Sequence, residues 1–175
     1  MFLVGDILAL VGAIFLVGVS FWSLTLAANF FFGAKAARAR EIAESSPWKS
    51  AFAGVLMLGV AVILFGFSAN VPNALAKLLG FVALLALLMI GVVGAAGLTR
   101  LLAARLEPTD PAATEFRTLS RATGLLVVAG FAPFVGWFFV VPAVLAVSLG
   151  AGLFAVANRP AKAGAVEPPA VQAGV

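Results

Sequence analysis

The stretch that decides the fold is GLLVVAGFAPFVGWFFVVPAVLAVSLGAGLFAVA, which runs from Gly124 to Ala157 without a charged residue. As one straight α-helix these 34 residues would measure about 50 Å, because an α-helix rises ~1.5 Å per residue. The hydrocarbon core of a bilayer is only ~30 Å thick. The segment therefore predicts either one tilted or kinked crossing or a helical hairpin, with Pro133 and Gly136 at the turn and Pro142 bending the returning helix.

The composition of the whole chain is that of an integral membrane protein. Hydrophobic residues make up 63% of the 175 residues, charged residues make up 10%, and the mean hydropathy is +1.17. Soluble domains contain ~25% charged residues. The apolar residues are gathered into four runs, which predict an all-α, polytopic membrane bundle of residues 1–157. The predicted spans are about 7–32, 51–67, 78–98 and 124–157, and a Pro/Ala-rich tail follows at 158–175.

The residue types that are missing exclude several kinds of chemistry. The chain has no Cys and no His, so it lacks thiols and the commonest ligands of metals and haem. Its seven acidic residues lie at the edges of the apolar runs or outside them, whereas ion-coupled transport usually needs an ionisable group at membrane depth. We therefore predict no catalytic residue, no metal site and no enzymatic activity.

The net charge of +4 has two interpretations. Basic residues bind nucleic acid in some proteins, but no aromatic-basic motif accompanies them here. In a membrane protein, basic residues usually lie in cytoplasmic loops and contact anionic lipid headgroups. Membrane lipid is therefore the expected partner, and nucleic acid is not.

Small residues in the second and third spans predict close contacts between helices. Glycine and alanine let helix backbones approach each other within a membrane. Packing inside the bundle is the expected use of these residues, ahead of homodimerisation. The predicted packing positions are Gly54, Gly59, Gly91, Gly94, Ala95 and Gly97.

The segment between the first two spans predicts a helix outside the membrane. Residues 33–44 are rich in Ala, Lys, Arg and Glu, which are strong helix formers. Arg40 and Glu44 stand four residues apart, a spacing that supports a helix when the charges are opposite. We expect the first helix to continue into the cytoplasm for about three turns, as a solvated extension or as a docking surface for a partner.

The distribution of Lys and Arg assigns the sides of the membrane. The first and third loops carry four each, the second carries one, and the segment before the first span carries none. By the positive-inside rule, the first and third loops are cytoplasmic and the N-terminus is outside. A hairpin in the last run would return Arg159 and Lys162 to the cytoplasm, and we favour it for this reason. Trp48 and Trp137 are predicted anchors at the membrane interfaces.

Several spacings resemble those of a known family. They are Ser50-x-x-x-Gly54 at the start of a span, a short Asn-Pro turn after it, and Pro133-x-x-Gly136-Trp137 and Leu149-Gly150-x-Gly152 in the last run. Over the range 47–154 the chain resembles the polytopic membrane region that accompanies bactofilin-type polymer-forming domains in bacteria. It departs from that family in having no β-solenoid domain. The resemblance implies a bacterial inner-membrane protein with a scaffold role, and it carries over no catalytic residue.

Three functional hypotheses follow. The first is a non-catalytic subunit or scaffold that packs against other integral membrane proteins in a hetero-oligomeric assembly. The second is a small oligomeric channel lined by Ser20, Ser23, Asn29 and Ser148, although a pore needs a polar stripe sustained along one helix face. The third is a protein that binds a lipid or a pigment. We prefer the first, because the sequence shows glycine-rich helix faces and no charge within the spans.

Overall fold

The computed structural model describes residues 2–107, 112–132 and 134–157, and over these residues it contains α-helices and no strand. The helices are α1 (Phe2–Phe31), α2 (Gly33–Ser45), α3 (Pro47–Asn70), α4 (Ala74–Leu106), α5 (Glu115–Phe131) and α6 (Val141–Ala157), with a π-helical segment, Gly136–Val140, directly before α6. Four helical stretches are long and apolar enough to cross a membrane, namely Gly5–Phe31, Pro47–Ser68, Ala74–Leu106 and Gly136–Ala157. The predicted all-α membrane bundle is confirmed. The predicted tail, 158–175, and Pro133 lie outside the described residues.

The last helix, α6, is the centre of the bundle. It packs along α3, α4 and α2, and 33% of its most apolar stretch is buried, against 6% for α1. The helix α3 runs antiparallel to it, since Ser50 lies beside Gly150 and Gly54 beside Ala146. Gly94 of α4 lies beside Ser148, and the C-terminal parts of α4 and α6 both reach α2, where Ala151 and Ala155 cluster with Ala39 and Ala43. The buried face of α6 consists largely of small residues, which allow this close packing.

The last apolar run is broken into two helices, as expected for the hairpin that the sequence favoured over one tilted crossing. Between them Phe134 has a φ of 65°, a left-handed conformation that is uncommon for a residue other than glycine. Gly136 is buried, and a methyl group there would collide with the carbonyl oxygens of Ala129 and Gly130. The chain turns back on itself at this point, which brings Val141 beside Gly130. A methyl group on Gly130 would lie 3.6 Å from the side chain of Val141.

The α2 helix differs from the predicted extension into solvent. The chain turns at Phe32 (φ −118°, ψ 31°), and α2 folds back against α4 and α6. Its alanines at positions 36, 39 and 43 are buried, while Arg40 pairs with Glu44 at 3.8 Å on a more exposed face. Alanines spaced three and four residues apart form one apolar stripe. The expectation of a helix that projects freely is therefore wrong.

The helix α4 continues well past its predicted apolar span. Asn73 caps its start by accepting a hydrogen bond from the N–H of Leu75 at 2.9 Å, and the helix ends only at Leu106. Its last two turns therefore carry Arg100 and Arg105 on regular helix. This extension brings Arg100 to the end of α1, where the polar cluster described below is formed.

Candidate functional site

Four glycines hold α3, α4 and α6 together, and we call them the glycine seam. Each lies against the backbone of a neighbouring helix rather than against a side chain. A methyl group would meet the carbonyl group of Ala146 at Gly54, of Ser148 at Gly94, of Ser50 at Gly150 and of Ile90 at Gly152. Backbone atoms cannot rotate away as a flexible side chain can. The seam therefore requires glycine at each of these positions.

The predicted packing positions fall into different environments. Gly54 and Gly94 belong to the glycine seam, Gly97 lies against Ala39 and Arg40 of α2, and Ala95 is buried. A methyl group on Gly91 would lie 3.2 Å from the side chain of Leu149. Gly59 differs, since no atom of the described chain lies within 4 Å of the position a methyl group would take. The α6 partners Gly150 and Gly152 were missed as packing positions, although their Gly-x-Gly spacing was the available signal.

Ser50 is a buried polar residue within this seam. It is fully buried, and its hydroxyl makes no hydrogen bond within the described residues. Ser148, which is also buried, donates to the carbonyl of Leu145 at 3.2 Å.

Because an unpaired buried hydroxyl is unfavourable, we expect Ser50→Ala to leave the stability of the detergent-solubilised protein unchanged or to raise it by up to about 1 kcal/mol. Thermal unfolding followed by circular dichroism measures the change, with Ser148→Ala as the matched control. A clear destabilisation by Ser50→Ala alone would show that its hydroxyl has a partner.

A polar cluster joins α1 to α4. Asn29 is buried, and its side-chain nitrogen donates to the hydroxyl of Thr99 at 3.1 Å and to the carbonyl of Thr25 at 3.0 Å. Its side-chain oxygen accepts a hydrogen bond from Nε of Arg100 at 2.8 Å. The hydroxyl of Thr99 in turn donates to the carbonyl of Ala96 at 2.8 Å. We call these residues the Asn29 cluster, and every polar atom of the Asn29 side chain is used in it.

Arg100 also stabilises the end of α1. Its Nη2 donates to the backbone carbonyl of Asn29 at 3.3 Å, one of the last carbonyls of a helix that ends at Phe31. A positive charge is favourable there because the helix dipole places partial negative charge at the C-terminus. Glu115 of α5 lies 3.9 Å from the same nitrogen but is largely exposed, so this ion pair contributes at most about 1 kcal/mol.

The basic loops meet at this end of the bundle. A polar cavity of about 330 Å³ is lined by Arg40 from α2, Arg100 from α4 and Glu115 and Thr118 from α5, together with Glu107. Residues of the first and third predicted loops therefore share one cavity. Two basic and two acidic side chains face it, so it carries no strong net charge.

A second, larger pocket lies where α5 and α6 diverge. The helix α6 packs on α3 and α4, whereas α5 packs on α1 and α4. The space between α1, α5 and residues 137–145 has a volume of about 420 Å³, and its lining is made of apolar side chains and glycine, including those of Val17, Leu126 and Trp137. We call it the hairpin pocket.

The two predicted interface anchors are both exposed. Trp48 is 86% exposed at the start of α3, and Trp137 is 62% exposed in the π-helical segment.

Pro142 is the second residue of α6 and is exposed. Proline has no N–H and its ring crowds the carbonyl four residues earlier, so the wider π-helical turn just before it suits the chain there.

The polar residues proposed for a channel do not line a common path. Ser20 and Ser23 are exposed on the surface of α1. Asn29 is used in its cluster, and Ser148 is buried on α6 with its hydroxyl bonded to its own helix. The arrangement gives no support to the channel hypothesis.

Within residues 2–107, 112–132 and 134–157, no three side chains of the types His, Cys, Asp or Glu lie close enough together to hold a metal ion. No protein-family model, curated protein or solved structure matches this chain. The function is therefore argued from the geometry of the helices and the chemistry of their exposed surfaces.

Proposed function

We propose that this chain is a non-catalytic integral membrane subunit of the bacterial inner membrane, which packs against other membrane proteins in a larger assembly. The observation that carries the proposal is the exposure of the N-terminal part of α1. Described side chains in residues 5–12 are exposed, and a methyl group on Gly5 or Gly12 would have no neighbour within 4 Å. The apolar surface of residues 5–12 is thus not covered by the rest of the described chain.

The outer surface of α3 provides a second contact region. Gly54 packs inside the bundle, but a methyl group on Gly59 or Gly66 would have no neighbour within 4 Å. Small residues on an exposed membrane helix allow the backbone of a partner helix to approach closely. Gly59 and Gly66 are seven residues apart, as are Gly5 and Gly12, so each pair lies on one side of its helix.

The polar groups of the bundle support a structural role. Buried Thr25, Thr99, Thr123 and Ser148 each donate to a backbone carbonyl of their own helix. Side chains of this kind in membrane proteins stabilise helices and helix contacts. Among the described residues, these hydroxyls are engaged in packing rather than gathered around a space for a substrate.

The proposed orientation has the N-terminus outside and the first and third loops in the cytoplasm. It is supported by the polar cavity, in which Arg40 of the first loop and Arg100 at the start of the third lie together. A shared cavity fits two loops on the same side of the membrane, and the positive-inside rule favours the cytoplasmic side.

The test is purification of the tagged chain from native membranes in mild detergent, with the co-purifying proteins identified and quantified. We expect recovery of one or more membrane proteins at fixed stoichiometry. Gly12→Leu and Gly59→Leu should each reduce that recovery by about tenfold, equivalent to 1.4 kcal/mol of binding free energy, because a larger side chain keeps a partner backbone away.

The matched control is Ala86→Leu, which enlarges an exposed position on α4 outside the proposed contact regions. All three variants should leave the melting temperature of the isolated protein unchanged, since each side chain enters open space or an exposed surface. Recovery of the chain alone, as a defined oligomer, would contradict the proposal. So would equal effects of the two glycine variants and the control.

A further inference from the structure

The hairpin pocket has the chemistry of a lipid site. We propose that it binds one acyl chain of a membrane phospholipid. The pocket is lined by side chains from α1, α5 and residues 137–145, all of them apolar or glycine apart from the indole of Trp137. Two of its walls belong to stretches that are long and apolar enough to cross a membrane, so its open side faces hydrocarbon.

The volume of the pocket selects a chain rather than a small group. Its volume of about 420 Å³ is many times that of one water or one methylene group, so the pocket has room for a length of acyl chain. A single side chain from a partner helix is too small to fill it.

One basic residue, Arg121, lies near the pocket along α5. It precedes Leu126, the first pocket residue of α5, by five positions, or about 7.5 Å along the helix axis, and lies on a different face of the helix. The headgroup region of a bilayer is about 5–7 Å thick on each side, the difference between its total and hydrocarbon thickness. A phospholipid whose acyl chain enters the pocket at Leu126 would therefore have its headgroup at the axial level of Arg121.

A pigment fits this pocket less well. A chlorophyll-type magnesium needs an oxygen or nitrogen ligand, and the lining side chains provide no such acceptor. An acyl chain needs none. Its binding is stabilised by burial of apolar surface and by dispersion contacts with the walls.

The experiment is native mass spectrometry of the purified protein in mixed micelles of detergent with palmitoyl-oleoyl phosphatidylethanolamine and phosphatidylglycerol. We expect one phospholipid adduct to persist as the detergent is increased. Ala13→Phe and Val17→Phe, each of which fills the pocket from the α1 wall, should reduce the retained adduct by about tenfold, equivalent to 1.4 kcal/mol.

Two matched controls lie on the same helix outside the pocket. Ala9→Phe and Val19→Phe also place a phenyl ring on α1, at exposed positions that do not line the pocket, and they should retain the adduct. Circular dichroism of all four variants establishes that each is folded. Equal retention by pocket and control variants would overturn the proposal, as would the absence of any adduct in the unaltered protein.

The site does not rest on the proposed subunit role. The pocket variants test lipid retention in the isolated chain, whereas Gly12→Leu and Gly59→Leu test recovery of partner proteins. Loss of the adduct in Ala13→Phe with full partner recovery would support the lipid site alone. Loss of partners in the glycine variants with the adduct retained would support the subunit role alone.

Discussion

Gly54→Val is expected to destabilise the detergent-solubilised protein by about 3 kcal/mol or more, at the upper end of the range for overpacked interiors. The added side chain would have to occupy the space of the Ala146 carbonyl group. Relief requires α3 and α6 to separate, which loses the most extensive helix–helix contact in the bundle. Gly94→Val and Gly150→Val should behave alike, because each residue also faces a backbone carbonyl. Thermal unfolding or titration with denaturing detergent measures the loss.

Gly59→Val is the matched control for this series. It makes the same chemical change five residues further along α3, where a methyl group meets nothing within 4 Å. The isolated protein should unfold within about 0.5 kcal/mol of the unaltered chain, as is usual for surface substitutions. If Gly54→Val and Gly59→Val were equally stable, α3 would not pack on α6 through the glycine seam.

Asn29→Leu is the substitution in the polar region with the largest expected effect, a destabilisation of about 2–3 kcal/mol. It removes the acceptor of the Arg100 Nε–H and leaves a guanidinium whose side chain is only 25% exposed without its closest partner. It also removes the hydrogen bond to Thr99, which joins α1 to α4. Unfolding in detergent, monitored by circular dichroism, measures the effect.

Thr123→Val provides the comparison. It removes a buried hydroxyl that donates only to the carbonyl of Leu119 in its own helix, at 2.8 Å, so its effect should be below about 1 kcal/mol. In Asn29→Leu/Arg100→Met both partners become apolar, and replacing both is less unfavourable than leaving a partly buried charge without its partner. The double variant should therefore be more stable than Asn29→Leu alone. If it is less stable, the two residues are not coupled in this way.

The sequence was sufficient to predict the helical spans and the break in the last one. Charge-free runs can be read directly from the sequence and compared with the ~30 Å thickness of the hydrocarbon core. The packing of α2 was missed because its Lys, Arg and Glu residues indicated a solvated helix. The alanines at 36, 39 and 43 were the signal of a buried face, but a stripe of alanine is weakly apolar and does not specify what it packs against.

The site features depend on contacts that sequence spacing does not contain. Gly54 and Gly59 look equivalent in the sequence, yet only Gly54 faces α6, because the rotation of α3 is set by its neighbours. Asn29 and Arg100 are 71 residues apart in the chain, and Arg100 was assigned to a loop since it follows an apolar run. The hairpin pocket arises from the divergence of α5 and α6, which depends on how each packs against a third helix.

The central position of α6 has a consequence for biosynthesis. Translation proceeds from the N-terminus, so α1, α3 and α4 are made before the helix against which α3 and α4 pack. At roughly 5–20 residues per second, the 51 residues from Leu106 to Ala157 take about 3–10 s to synthesise. During that interval the glycines of α3 and α4 have no α6 backbone to contact. A ribosome that stops before α6 therefore releases a chain in which α1, α2, α4 and α5 can pack on one another, whereas α3 has no α6 to pack on and the glycine seam cannot form.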